Sequence, residues 1–230
     1  MQAITFTNYG YIKYTLNLLK SVEVNNVNLQ IKIFCTDQKS YNFFKNKNYY
    51  AELLVPEEPT IEKFTTWKAG VSDFGIMMLN KFVSIHKTLL EYEHVLYIDG
   101  DIVVKENFND YLVQEIINYD FLFQLDYNPK REIQNEACAG FMLIKSNIET
   151  IELFDIKKIN KKELINLPSH DQTYINLNKD KFKYRFLLPS NFPNGAYFSK
   201  FETNPKMIHF NYFVGQNKIK TMRKYKEWYL

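Results

Sequence analysis

Two aspartates, Asp99 and Asp101, follow the apolar run Val95-Leu96-Tyr97-Ile98 with only Gly100 between them. Hard carboxylate oxygens suit Mg²⁺ or Mn²⁺, which commonly complete their shells with phosphate oxygens from a substrate. A cation held against a diphosphate offsets the charge that grows on it when it departs as a leaving group. Gly100 permits a sharp bend that would turn both side chains towards one ion. Asp-Gly is also a common turn dipeptide, so an Asp-X-Asp pair alone does not define a metal site. The apolar strand before it strengthens the metal reading, because ligands of open α/β sheets bind beyond the carboxyl ends of the strands.

Other residues could join this chemistry, and each has a plainer alternative. His209 closes the apolar run Met207-Ile208 and offers a neutral imidazole as a third metal ligand, although a histidine at a strand end is more often structural. Ala139-Gly140 lies in an apolar strand, where small residues either admit a ligand to the backbone or simply pack. Asp171-Gln172 is placed to touch a polar ligand or to open a helix capped by Ser169. Lys81 precedes the metal strand on a helix, where it either reaches a phosphate or faces solvent.

The elements that must position these residues alternate between strand and helix. Strands are expected at Ala3–Thr7, Leu29–Cys35 and Ala51–Val55, the last stopped by Pro56 and Pro59. Helical spacing places Tyr11, Tyr14, Leu18 and Val22 on one face of a helix from Tyr11 to Val22. Further helices are expected at Tyr41–Asn46, Phe74–Leu90, Asn109–Asn118, Ile148–Ile156 and Asp171–Asn178. Further strands are expected at His94–Ile98, Ile102–Val104, Phe121–Leu125, Ala139–Ile144, Phe186–Pro189 and Met207–Phe210. The β-α-β-α-β opening implies a parallel sheet with crossover helices. The fold class is therefore α/β, with a mostly parallel central sheet flanked by helices. Residues 1–230 show no repeat, linker or composition break and read as one domain.

In this order the motifs resemble those of GT-A glycosyltransferases, a Rossmann-like fold. The likeness is to the glycogenin and galactosyltransferase-like group and to the wider nucleotide-diphospho-sugar transferases. It is carried by Leu96-Tyr97-Ile98-Asp99-Gly100-Asp101, Thr5-Phe6-Thr7-Asn8-Tyr9, Ala139-Gly140-Phe141-Met142-Leu143, His170-Asp171-Gln172 with Asn176, and His209 followed by Gly215-Gln216-Asn217-Lys218. The resemblance implies a sugar transfer from a nucleotide-diphosphate donor, a UDP-sugar, to a glycan, protein or other hydroxyl acceptor, with retention at the anomeric carbon. It implies that Asp99, Asp101 and His209 bind Mn²⁺ or Mg²⁺, and that Gly215 and Lys218 meet the diphosphate. Thr7, Asn8 and Tyr9 would hold the nucleoside, and Ala139 and Gly140 would floor the sugar site. Asp126, Asp171 and Gln172 would contact sugar hydroxyls, while Lys81 would reach the donor. The interval from His209 to Gly215 is longer than in glycogenin, and Ile219-Lys220 replaces the usual Pro-Trp.

Composition limits the alternatives. The 230 residues carry a net charge of +3, too mild to indicate nucleic-acid binding. The 17 tyrosines and 19 phenylalanines are expected mostly in the core. The two cysteines, Cys35 and Cys138, have no zinc-like spacing and read as buried free thiols. No transmembrane run or signal peptide is seen, and a cytoplasmic location is expected. A sugar-nucleotide nucleotidyltransferase or pyrophosphorylase also combines two carboxylates with Mg²⁺, but it normally has a Gly-rich basic loop after the first strand, unlike Thr7-Asn8-Tyr9-Gly10. A catalytically inactive nucleotide-sugar-binding protein is the remaining alternative.

Overall fold

The strand Ile31–Cys35 is buried at every position, Lys32 included. Burial on both faces is what a parallel sheet between two helical layers requires. In the computed structural model, which describes residues 1–55 and 72–230, this segment is the second of nine strands among those residues. The chain order is β1 (Gln2–Thr7), α1 (Ile12–Val24), β2 (Ile31–Cys35), α2 (Gln38–Lys45), β3 (Ala51–Leu53), α3 (Ser72–Leu89), β4 (His94–Ile98) and β5 (Ile102–Val104). There follow α4 (Asn109–Glu115), β6 (Phe121–Leu125), β7 (Ala137–Lys145), α5 (Ile148–Phe154), α6 (Lys161–Asn166) and α7 (His170–Asn178). Last come β8 (Tyr184–Phe186), α8 (Gly195–Phe198), β9 (Met207–His209) and α9 (Gln216–Lys224).

Seven strands form one sheet in the order β3-β2-β1-β4-β7-β6-β8. Only β7 runs against its neighbours, and the remaining pairings are parallel. The two-residue period of the strands divides the core in two. Ile33, Cys35, Leu96 and Ile98 pack with Leu18, Phe44 and Leu112 on one side. Phe34, Val95 and Tyr97 pack with Phe82, Phe154 and Ile175 on the other. The chain leaves β1 for β2 and β3 on one flank, then returns to lay β4 on the opposite flank. That reversal opens a crevice beyond the carboxyl ends of β1 and β4, where Thr7 and Asp99 lie. A second small sheet pairs β5 with β9 antiparallel and matches Ile102 with His209.

Several boundaries differ from the sequence reading for local reasons. The α2 helix starts earlier than Tyr41 because Asp37 caps it, accepting from Ser40 N at 2.8 Å. Ser169 precedes α7 but its side chain makes no capping bond. β7 begins at Ala137, and Asn176 pairs with the backbone of Ala137 through both ends of its amide, at 2.8 and 2.9 Å. The strand read at Phe186–Pro189 is instead β8, which ends at Phe186. The short helices α6 and α8 had no counterpart in the sequence reading. Pro56 and Pro59 lie outside the described residues. Both cysteines are buried free thiols, and among the described residues no helix is long and apolar enough to cross a membrane.

Candidate active site

β4 delivers Asp99 to the sheet edge, and the backbone ladder then fixes the rest of the cluster. Asp99 N donates to Gly140 O at 2.7 Å, which extends the β4–β7 pairing by one residue. The chain turns into β5, whose pairing with β9 brings His209 opposite Ile102, and Phe210 N donates to Asp101 O at 3.1 Å. One ligand atom from each of Asp99, Asp101 and His209 lies within 4.8 Å of the others. His209 Nε2 is 3.2 Å from Asp101 Oδ1 and 3.8 Å from Asp99 Oδ2. Neither approach is aligned as a hydrogen bond, so among the described residues this buried nitrogen has no hydrogen-bond partner.

The tautomer is set from behind. Gln124 Nε2 donates to Phe192 O at 3.1 Å, which leaves Gln124 Oε1 to face His209 Nδ1 at 2.8 Å. Nδ1 therefore carries a hydrogen, and Nε2 faces the two carboxylates. Burial depresses the basicity of His209, but the Asp101 carboxylate beside it raises its pKa above the ordinary imidazole value. A proton and a divalent ion thus compete for Nε2. Burial also opposes ionisation of Asp101, yet Lys218 and His209 hold its pKa well below the usual carboxylate range. A buried nitrogen without a hydrogen bond, two carboxylates and a backing amide fit a hard divalent cation.

Gly140 faces this cluster directly. A Cβ there would fall against His209 Cε1 and 2.5 Å from Asp99 Oδ2. The fit explains why β7 carries Ala139-Gly140 at the crossing. Gly100 has a related role, since a Cβ on it would lie 2.9 Å from Thr15 Oγ1. Its φ is not positive, so close approach to α1, rather than a special bend, requires glycine there.

One cavity of about 520 Å³ joins the cluster to most of the residues singled out in the sequence. Thr7, Asn8, Lys81, Asp126, Ala139, Asp171, Gln172, Gly215 and Lys218 all line it, as do Asp99, Gly100, Asp101, Gly140 and His209. Tyr9 does not line it: the residue is 47% exposed, and its backbone N is held by Asp37 Oδ2 at 2.7 Å. Tyr11 and Tyr14 line it instead. Lys81 is not an exposed helix lysine. It is 1% exposed, 2.7 Å from Asp171 Oδ2 and 3.5 Å from Asp99 Oδ1, with its ammonium 4.3 Å from the Tyr97 ring centre. Burial opposes its charge, but Asp171 and Asp99 raise its pKa, so it stays cationic. Tyr97 donates to Asp99 Oδ1 at 2.7 Å. Lys218, on the first turn of α9, is ion-paired with Asp101. Gly215 precedes that helix at φ 58° and ψ −136°, a region that strongly favours glycine.

Asp126 lies at the end of β6 and is saturated by protein donors. Asn194 and Asn211 reach Oδ1 at 3.1 and 3.4 Å. Gln172, Tyr212 and Arg131 reach Oδ2 at 3.2, 3.4 and 3.5 Å. Gln172 also accepts from Ala139 N at 3.4 Å, so it ties α7 to β7 as well as to Asp126. Sequence reasoning missed Gln124, Cys138, Arg131 and Tyr212 as site residues. For Gln124 a signal was present, a lone amide in the otherwise apolar strand Phe121-Leu122-Phe123-Gln124-Leu125.

Residues 29–222 match the family model described as nucleotide-diphospho-sugar transferase. The UDP-galactose:fucoside alpha-3-galactosyltransferase of Dictyostelium discoideum is 26% identical over 277 residues, covering 99% of this chain and 43% of the relative. The chain thus spans less than half the length of that curated relative. Among solved structures, the glycosyltransferase GlyE of Streptococcus pneumoniae TIGR4 superposes with a TM-score of 0.60 at 18% identity, covering 94% of this chain and 55% of that one. An active-site mutant of LgtC superposes with a TM-score of 0.60 at 13% identity, covering 91% and 87%. Mouse xyloside xylosyltransferase 1 superposes with a TM-score of 0.57 at 14% identity, covering 91% and 97%. At these identities the likeness is one of fold, the GT-A architecture.

Proposed function

The chain belongs to the nucleotide-diphospho-sugar transferase family, and on that premise we propose that it is a metal-dependent glycosyltransferase acting as a single domain over residues 1–230. The donor is a UDP-sugar, the acceptor carries a hydroxyl group, and the anomeric configuration is retained. The observation that carries the reading is His209 Nε2, buried without a hydrogen bond and aimed between the Asp99 and Asp101 carboxylates at the sheet edge.

Asp99, Asp101 and His209 would hold Mn²⁺ or Mg²⁺. When bound, the cation supplies positive charge against the diphosphate as the glycosidic bond breaks. Charge balance favours this. The cavity is lined by four carboxylates, Asp99, Asp101, Asp126 and Asp171, and by three fixed cations, Lys81, Arg131 and Lys218. With His209 protonated the lining is neutral, and a divalent ion that displaces that proton turns it to +1, which suits an anionic diphosphate. Lys218 is then released from Asp101 to meet a phosphate oxygen, and Lys81 keeps Asp99 in place. Thr7 and Asn8 hold the nucleoside, with Tyr9 bracing their loop from outside. Gly140 leaves room for the sugar, and Asp171 and Gln172 contact its hydroxyls. Asp126, engaged by five protein donors, holds that wall and so orients Gln172 towards the sugar. Among the described lining residues each carboxylate is paired with a cation or held by protein donors, so the acceptor oxygen attacks from the face that the diphosphate leaves. The departing phosphate oxygen takes the acceptor proton.

Thermal unfolding with Mn²⁺ and a panel of nucleoside diphosphates tests the proposal. A ligand at a hundred times its Kd adds about 2.7 kcal/mol, which moves Tm by roughly 5–10 °C in a domain of this size. The expected result is a Mn²⁺-dependent shift with UDP that is absent in Asp101→Asn. That variant should keep its fold and lose turnover by about 10²–10³-fold. No shift with any diphosphate would sink the reading, and a shift with triphosphates alone would point to nucleotidyl transfer.

A further inference from the structure

We infer that the end of the cavity farthest from the nucleoside loop is built to receive an acidic sugar ring of the acceptor. This rests on the donor reading above. Along the sheet edge, the strand order β1-β4-β7-β6 sets Thr7, Asp99, Ala139 and Asp126 in succession. Three strand spacings, about 14 Å, separate the first from the last. A donor anchored at Thr7 with its diphosphate at Asp99 leaves the Asp126 end for the acceptor.

That end is bordered by Arg131, Lys130 and Lys200. Asp126 is its one carboxylate among the described lining residues, and five protein donors already engage it. Arg131 uses only Nη1 there, 3.1 Å from Asp126 O and 3.5 Å from Oδ2, and its side chain is 35% exposed. Its Nε and Nη2 make no hydrogen bond among the described residues, so the guanidinium still presents donors to the cavity. The backbone beneath it is fixed. Gln134 accepts from Asn128 N at 2.9 Å and donates to Asn128 O at 2.9 Å and Arg131 O at 2.6 Å. Asn128, Tyr212 and Phe213 also form a wall of an adjoining hollow of about 420 Å³. Lys130 and Lys200 line that hollow, and none of its described lining residues is acidic.

Nearby stands an aromatic cluster. Tyr127 packs edge-on against Tyr197 and Phe201 at 5.3 and 5.6 Å. Phe201 and Tyr212 remain 40% and 39% exposed. Aromatic faces take the C–H faces of sugar rings, while a guanidinium fork matches a planar carboxylate or a phosphate. A neutral glycan would leave Lys130, Lys200 and the outer edge of the Arg131 guanidinium without an anionic partner. The shared chemistry is therefore an anionic sugar, either a uronate or a phosphorylated ring.

The test is isothermal titration of the full chain, with and without Mn²⁺ and UDP, using digalacturonate, maltose 6′-phosphate and maltose as probes. One charge-assisted pair corresponds to about tenfold in Kd. At least one anionic disaccharide should bind about tenfold or more tightly than maltose. Arg131→Gln should remove that preference, and Lys200→Gln, outside the donor cavity, should weaken it in part while leaving the Kd for UDP unchanged. Preference for digalacturonate assigns a carboxylate, and preference for the phosphorylated disaccharide assigns a phosphate. Equal binding of maltose, binding of no anionic probe, or a preference that survives Arg131→Gln would overturn the inference. Failure of UDP to bind would count against the donor reading instead.

Discussion

Asp101 and Asp126 line the same cavity and are wired in opposite ways. Asp101 meets Lys218 and the unpartnered Nε2 of His209, so its surroundings are incomplete as they stand. Asp126 accepts from Asn194, Asn211, Gln172, Tyr212 and Arg131, drawn from four separate stretches of chain. A buried polar group left short of partners is costly unless a ligand supplies them, whereas a saturated one rigidifies what it touches. The first carboxylate is built to wait for a ligand, the second to hold a wall.

The comparison can be broken from either side. The largest effect is expected from Gly140→Ala, whose Cβ meets His209 and Asp99. Overpacking of this kind costs about 1–3 kcal/mol. Because it falls on the ligand atoms, Mn²⁺ binding measured by calorimetry should be lost while the protein remains folded by circular dichroism. Next, Gln124→Met removes the acceptor behind His209 Nδ1. Metal affinity should fall about 10–100-fold, with a smaller change in Tm. For Asp126→Asn the order reverses. Losing the charge behind Arg131 should cost about 1–2 kcal/mol, a Tm drop of roughly 2–8 °C, with Mn²⁺ affinity unchanged. An equal loss of metal affinity in Asp126→Asn would merge the two regions into one.

The smallest effect concerns the thiols. Burial pushes Cys35 up to about 12, against the help of Ser40, and burial also raises Cys138. The folded state therefore retains protons that an unfolded thiol loses near pH 8.5. Their contribution to stability is complete below that pH and is lost as pH rises towards 12. Urea midpoints should decline from about pH 8.5 upward, and neither thiol of the native protein should react with an aromatic disulfide reagent at pH 8.

Much of this was legible along the chain, because it is local. The unbroken apolar run before Asp99 marks a strand covered on both faces, and its end marks the edge where ligands bind. The alternation of strands and helices gives the α/β class, and the motif order points to the family. Element ends were less legible, since capping by Asp37 and the amide of Asn176 draws residues into elements that propensity leaves out. Lys81 shows the limit most clearly. A lysine on a helix reads as a solvated charge until Asp171 and Asp99 are brought to it from other parts of the chain.

The amino-acid order by itself determined the carboxylate pair, the apolar strands and the glycines, because these depend on neighbours two to four residues apart. Tertiary structure alone decided which groups share a charge environment. The pairing of β5 with β9 sets His209 beside Asp101, β6 puts Gln124 behind the imidazole, and the segments after β6, before α8 and after β9 converge on Asp126. Those meetings are set by register and packing over long chain separations, and electrostatics at a few ångströms depends on nothing else.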